Sequence, residues 1–488
     1  MVKKLEKIFD NQIWNRITNF LFPVLLVLFS FIHINEGITV TDTGYNYGNF
    51  VSFDSLDDMW KFSTYLASAL GAFFTKLPFG KTMIGLNFYT GLLKIVAALL
   101  AYYFCIKVCK IRKEMVFLGE MIALGLCWCP TALIYNYLTY LLFHLAAMFL
   151  YMAIVKEKKS YYVFAGIFLG VNLFVRLPNV AEIALIVVVW LAGIIYKKRV
   201  FEIVKNTLFC VLGYGIGGIS VFAYLVCRYG LKRYVEGILS LFAMTQEAGS
   251  YTVKAMIVDT LRVYLQYSKW FLYGVLLIAL GMLLFRVLKE KFLFLKKGLF
   301  VILMVVGVYL FKRMGMFSDN YRSYESIFGW GVMLLMSCLF LGAGVILSKK
   351  RKNEEKVLWC ILCVIILITP LGSNNHLYSP MNNLFLVAPL FLNYIWELLS
   401  CEKRSIMIWK ISLSNSPQKI TLVILAMVLF IQSFLFGSSF VFRDGVGGED
   451  RDYVIKENSV LKGMYTTTKN GQNLQELVLT VVFILSGW

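Results

Sequence analysis

The chain has 488 residues, of which 59% are apolar and 16% charged, with a mean hydropathy of +0.72. A soluble domain carries roughly 45–50% apolar and about 25% charged residues, so water is not the main solvent here. The net charge of +20 does not mark a nucleic-acid surface, because the basic residues fall in short clusters between apolar runs rather than on one face.

A helix needs about 20 residues to cross a hydrocarbon core of roughly 30 Å, and shorter runs can span where the bilayer thins. In chain order the apolar runs predict spans at 17–34, 82–106, 115–129, 131–154, 161–177, 179–196, 204–227, 269–287, 298–314, 327–348, 357–371, 384–400 and 419–442. The expected fold is all-α, a polytopic transmembrane bundle of about thirteen spans that forms one membrane domain over 1–442. The amino terminus, MVKKLEK before an apolar run, has the charge layout of a signal sequence. INEGITVTD after it offers no small-x-small cleavage site, so an uncleaved anchor is expected.

The first loop, 35–81, holds Glu36, Asp42, Asp54, Asp57 and Asp58, with Lys61 as its one base before Lys76. Asp54, Asp57 and Asp58 read as a helix start, and 59–78 as a juxtamembrane helix along the bilayer surface. Gly44, Tyr45 and Tyr47 suit an ordered turn after Asp42. Pro130 and Pro178 separate adjoining spans, where proline ends a helix. Glu182 is the expected partner of Arg176, and His33 and His144 read as packing residues. The ten cysteines fall in or beside apolar runs and form no disulfide framework; Cys360 and Cys363 read as helix packing positions.

Orientation follows from the basic segments KVCKIRK, VKEKK, YKKR, FRVLKEKFLFLKK, SKKRKNEEK and CEKRSIMIWK. With the amino terminus inside, 29 of the 48 Lys and Arg lie on the cytoplasmic side, the positive-inside bias. The segments with enough polar residues for a site, 35–81, 228–268, 315–326 and 372–383, then lie outside, as does a tail from 443 to 488. That tail reads as a short cap or a truncated domain whose last apolar run, 477–485, is too short to span. Lys312, Arg313 and Arg322 flank the ninth span. The loop LGSNNHLYSPMNN offers Asn375 and His376 to a hydroxyl-rich ligand. No Cys/His cluster has the spacing of a metal site, so no metal ligand is assigned and a divalent cofactor has no clear ligand set.

A first span followed by an acid-bearing outer loop (TVTDTGYNYGNF), a juxtamembrane helix and a span opening GLNFYTGLLK resembles the GT-C superfamily of integral-membrane glycosyltransferases. Close-packed spans around CPTALIYNYLTYLLFHLAAMFLYMAI and FAGIFLGVNLFVRLPN extend that likeness over nearly the whole chain. The resemblance implies an enzyme of inverting type that takes its sugar from a polyprenyl phosphate. It implies that Asp42 is the general base and that Arg176 holds the phosphate. Glu36, Tyr45, Lys312, Arg313, Arg322, Asn375 and His376 complete the candidate substrate-binding set. Thr43 stands where many relatives carry a second acid. A transporter or flippase, or a non-catalytic component of polysaccharide assembly, is the alternative expectation.

Overall fold

A computed structural model of the chain describes residues 2–37, 42–247, 252–287, 292–372, 375–401, 405–408 and 411–474. Among the described residues the structure is mostly helical, with almost no strand. The first helices are α1 (Val2–Phe9), α2 (Gln12–Ser30), α3 (Asp42–Val51), α4 (Asp58–Ser63), α5 (Tyr65–Thr75), α6 (Met83–Lys107), α7 (Lys113–Leu126), α8 (Ile134–Lys156) and α9 (Lys159–Asn172). A 3₁₀ stretch, Leu177–Ile186, then leads into α10 (Val187–Ile195), α11 (Val200–Tyr229), α12 (Leu231–Glu247), α13 (Val253–Val287) and α14 (Leu293–Arg313). The last helices are α15 (Glu325–Leu347), α16 (Asn353–Ile368), α17 (Tyr378–Met381), α18 (Val387–Ser400) and α19 (Ser416–Ser439). Two antiparallel ribbons pair β1 (Ser405–Ile408) with β2 (Ile411–Ser414), and β3 (Tyr453–Val454) with β4 (Tyr465–Thr466).

Among the described residues, nine helices are long and apolar enough to cross a membrane: α2, α6, α8, Leu177–Ile195, α11, Lys254–Val287, α14, α15 and α19. The chain is therefore a multi-pass integral membrane protein. The remaining four expected spans fall on α7, α9 and α18, of 14 residues each, and α16, of 16. At 1.5 Å per residue these helices are only about 21–24 Å long. Their apolar runs are interrupted for a local reason. After α7 the chain leaves the helix at Cys127 ahead of Pro130, and after α9 it leaves before Pro178, which sits at the start of the 3₁₀ stretch.

The chain divides into two compact units. The first comprises Met1–Val27, Ala98–Cys127 and Thr252–Gly437. Its cytoplasmic-type basic residues are tied locally: Arg112 pairs with Asp10 at 2.6 Å, and Arg351 with Glu355 and Glu397. Phe22 stacks on Phe117 with ring centroids 4.1 Å apart, which fixes α2 against α7. Phe285, Phe300 and Met304 form an apolar core beneath α19.

The second unit comprises Leu28–Ala97, Trp128–Tyr251 and Ser438–Trp488. Here α9 and α11 pack backbone to backbone, because each carries small residues four apart. A Cβ added at Gly166 would lie 2.0 Å from the Cys210 carbonyl oxygen, and one at Gly217 would lie 2.4 Å from that of Ile167. The region expected as one juxtamembrane helix over 59–78 is two short helices, α4 and α5. Asp57 caps α4 by accepting from the Met59 amide at 2.9 Å, which places a helix start where the acids predicted one. One face of α5, including Tyr65, Ala67, Ser68, Gly71 and Phe74, is buried in the protein. Within this unit the tail from 443 is folded as far as Leu474: Met83 donates its amide to the Val460 carbonyl, and Tyr465 to that of Asn35. The run 477–485 lies outside the described residues.

Candidate functional site

Of the expected site residues, Asp42, Glu36, Tyr45 and Arg176 belong to the second unit. Asp42 is the first residue of α3, and its carbonyl accepts from the Asn46 side chain at 2.8 Å. The preceding residues, 38–41, lie outside the described ones. Among the described residues no lysine or arginine comes within ion-pair distance of the Asp42 carboxylate. Tyr45, one turn on, is partly exposed and packs edge-on against Trp60 with centroids 5.5 Å apart. Burial raises the Tyr45 phenol above its ordinary range.

Arg176 follows α9 in extended backbone and precedes the 3₁₀ stretch. Its guanidinium lies over the Tyr135 ring, 5.6 Å from the centroid. Its Nε is buried and, among the described residues, has no hydrogen-bond partner. Glu182 does not pair with it directly, contrary to the sequence expectation. The Glu182 carboxylate instead accepts from the Asn172 side-chain amide at 2.5 Å. That amide also donates to the Thr139 carbonyl, while Asn179 donates to Thr139 Oγ1 at 2.8 Å and to the Asn172 carbonyl at 3.0 Å. Asn172 thus takes the acid that chain proximity offered to Arg176. This buried network, with all four members at most 7% exposed, is held by a ten-residue 3₁₀ stretch, a long run for that conformation.

One apolar core joins these pieces. Phe50 of α3, Ala67 and Phe74 of α5, Met83 and Leu86 of α6, Ile134 of α8 and Val175 pack together, with Tyr47 and Tyr135 against them. The Leu66 amide donates to the Phe174 carbonyl at 2.9 Å. The helix that opens with Asp42 and the segment that carries Arg176 therefore rest on the same support.

Glu36 has a different role from the one its place in the loop suggested. It accepts from Arg451 Nε at 2.9 Å and lies 3.0 Å from His33 Nδ1. Burial pushes the Glu36 carboxyl up, but the bond to His33 and the charges of His33 and Arg451 outweigh this and hold it below the ordinary carboxylate range. His33 is thus a polar partner rather than a packing residue. The same Arg451 donates to the carbonyls of Ser439 and Asp444. Asp444 is fully buried and accepts from Thr466 and Asn470. Nothing in the sequence around Arg451 signalled that it would meet an acid more than four hundred residues away.

The other candidates belong to the first unit. Lys312 is paired with Asp319, and Arg313 donates to the Tyr309 hydroxyl at 2.8 Å. The Arg322 amide donates to the Asn320 side chain. His376 adopts a left-handed backbone at φ +47°, with Nδ1 buried and without a hydrogen-bond partner among the described residues. Asn375 precedes it, and its carbonyl accepts the Tyr378 amide. Asn374 lies outside the described residues. No group of three or more His, Cys, Asp or Glu among the described residues could hold a metal ion. Compared with protein-family models, curated proteins and solved structures, the chain matches none.

Proposed function

We propose that this protein is a GT-C-like glycosyltransferase that moves a sugar from a polyprenyl-phosphate donor to an acceptor on the outer side of the membrane, in cell-surface glycan or glycolipid synthesis. The observation that supports this reading is that the helix opening with Asp42 and the segment carrying Arg176 rest on one apolar core, with neither side chain ion-paired among the described residues. In the proposed reaction Asp42 takes the proton of the acceptor hydroxyl as its oxygen bonds to the anomeric carbon. The bond from that carbon to the phosphate oxygen breaks, and the phosphate leaves with the electron pair. Arg176 stabilises the added negative charge through charge-assisted hydrogen bonds. The orientation proposed from the basic segments, with the amino terminus in the cytoplasm and the carboxy-terminal tail outside, puts this chemistry on the non-cytoplasmic face.

The test is Asp42→Asn in membranes supplied with a radiolabelled polyprenyl-phosphate sugar. Transfer should fall by about 10²–10⁴-fold, the span of general-base catalysis, while membrane yield is unchanged. Undiminished transfer would remove Asp42 from the role.

Glu120 of α7 favours a second reading, transport. It is 0% exposed, and neither carboxyl oxygen has a hydrogen-bond partner among the described residues. An ionisable group buried at membrane depth commonly lies on an ion or substrate path. Under this reading Glu120→Gln abolishes flux of a lipid-linked glycan in proteoliposomes; under the glycosyl-transfer reading it leaves transfer within about threefold of wild type, well short of a catalytic loss.

A further inference from the structure

Between α11 and α13, both long enough to cross a membrane, lies α12, whose 17 residues include Lys232, Arg233 and Glu236. Its surface divides into three strips at helical spacing. One strip faces the protein: Gly237 is buried so closely against α4 that an added Cβ would lie 2.8 Å from the Asp58 carbonyl oxygen. On the same side Tyr234 and Ile238 pack on the core around Phe62, and Arg233 forms a two-pronged pair with Asp58 at 2.9 and 2.7 Å. A second strip is polar, with Lys232, Glu236 and Ser240 exposed. The third, Leu231, Val235 and Leu239, is apolar, and these residues are 53%, 42% and 61% exposed. Steps of four residues put all three on one face.

A helix that is apolar on one side, polar on the next and protein-packed on the third fits a boundary between oil and water. We infer that α12 lies flat in the bilayer interface, with Leu231, Val235 and Leu239 in the acyl region and Lys232, Glu236 and Ser240 in water. Its partner on the apolar side is the lipid surface. Since α12 grips α4 through Gly237 and Arg233, it also fastens the loop that begins at Asp42 to the level of the headgroups. The inference rests on the membrane assignment and is independent of whether the protein transfers sugars.

The test uses the full chain in phosphatidylcholine vesicles. A membrane-partitioning aryl diazirine is photolysed and adducts are mapped by peptide mass spectrometry, beside a water-soluble amine reagent and hydroxyl-radical footprinting. Diazirine adducts on Val235 and Leu239, with Lys232 open to the amine reagent, are expected. Hydroxyl-radical oxidation of Val235 and Leu239 at the level of free peptide would overturn the inference. So would protection of the stripe from both apolar and aqueous reagents together with a dimer in solution, because a second copy would then be the occupant. As a check on folding, Leu239→Ser should lower diazirine labelling of Val235 by at least severalfold while leaving the Lys232 reaction unchanged.

Discussion

Two arginines of the second unit meet their surroundings in opposite ways. Arg451, with a side chain only 9% exposed, spends its guanidinium on the Glu36 carboxylate and on the carbonyls of Ser439 and Asp444. Arg176 has an aromatic ring beneath it and a buried Nε with no acceptor among the described residues, while the nearby acid, Glu182, is taken by Asn172. A buried cation that is fully paired acts as a clamp, since removing one partner strands the other charge. A cation left with open donors in a protein interior is costly unless something else supplies the acceptor. That difference, rather than the residue type, is what the proposed anion-holding role of Arg176 draws on.

The contrast can be broken first at Arg176. Arg176→Gln should lower sugar transfer by about 10²–10³-fold, the cost of losing one preorganised anion donor, with little change in melting temperature. Arg176→Lys should recover only part of the loss, because a single ammonium cannot reproduce the planar fork. A melting temperature that falls as far as activity would make Arg176 a structural residue like Arg451.

Arg451→Ala should act the other way. It strands Glu36 and frees the tail, at a cost on the order of 3 kcal/mol, read as a lower thermal midpoint in detergent. Proteolysis should then remove residues beyond 443 while α19 stays intact. The same pair predicts a smaller dependence on acid. The Glu36 carboxyl is held below its ordinary range, so its contribution is fully present above the unfolded pKa and is lost as pH falls through the lower folded value. Protection of the tail against protease should therefore weaken below about pH 4, and Glu36→Gln should flatten that response. An unchanged response in Glu36→Gln would assign it to another group.

Hydropathy located most of the helices, because a bilayer demands about 20 apolar residues wherever the chain crosses and composition records that demand directly. The expected starts and ends lie within a few residues of the observed helices for spans such as 82–106 and 327–348. Prediction was poorer where helices are broken. At Pro130 and Pro178 the sequence signals interruption without saying whether the chain turns back, kinks or tightens into a 3₁₀ run. Polar partners were less legible still. Glu182 lies six residues from Arg176, and proximity along the chain suggested a pair, yet the Asn172 side chain takes the carboxylate in space. The partner of Glu36 was hidden by separation, since an arginine in a polar tail has no periodicity to reveal what it meets.

The sequence by itself determined that this protein lives in a membrane, crosses it many times and concentrates acid in its first loop, because solvation in lipid is a property of composition summed over short windows. Only the tertiary structure decided which charges are spent and which are open, that the tail closes over the loop at Glu36, and that Asp42 and Arg176 share a support. Those outcomes depend on contacts between residues far apart in the chain, whose geometry is set by packing such as the α9–α11 glycine contact and by which hydrogen-bond donor reaches a given acid first in space, as Asn172 does at Glu182.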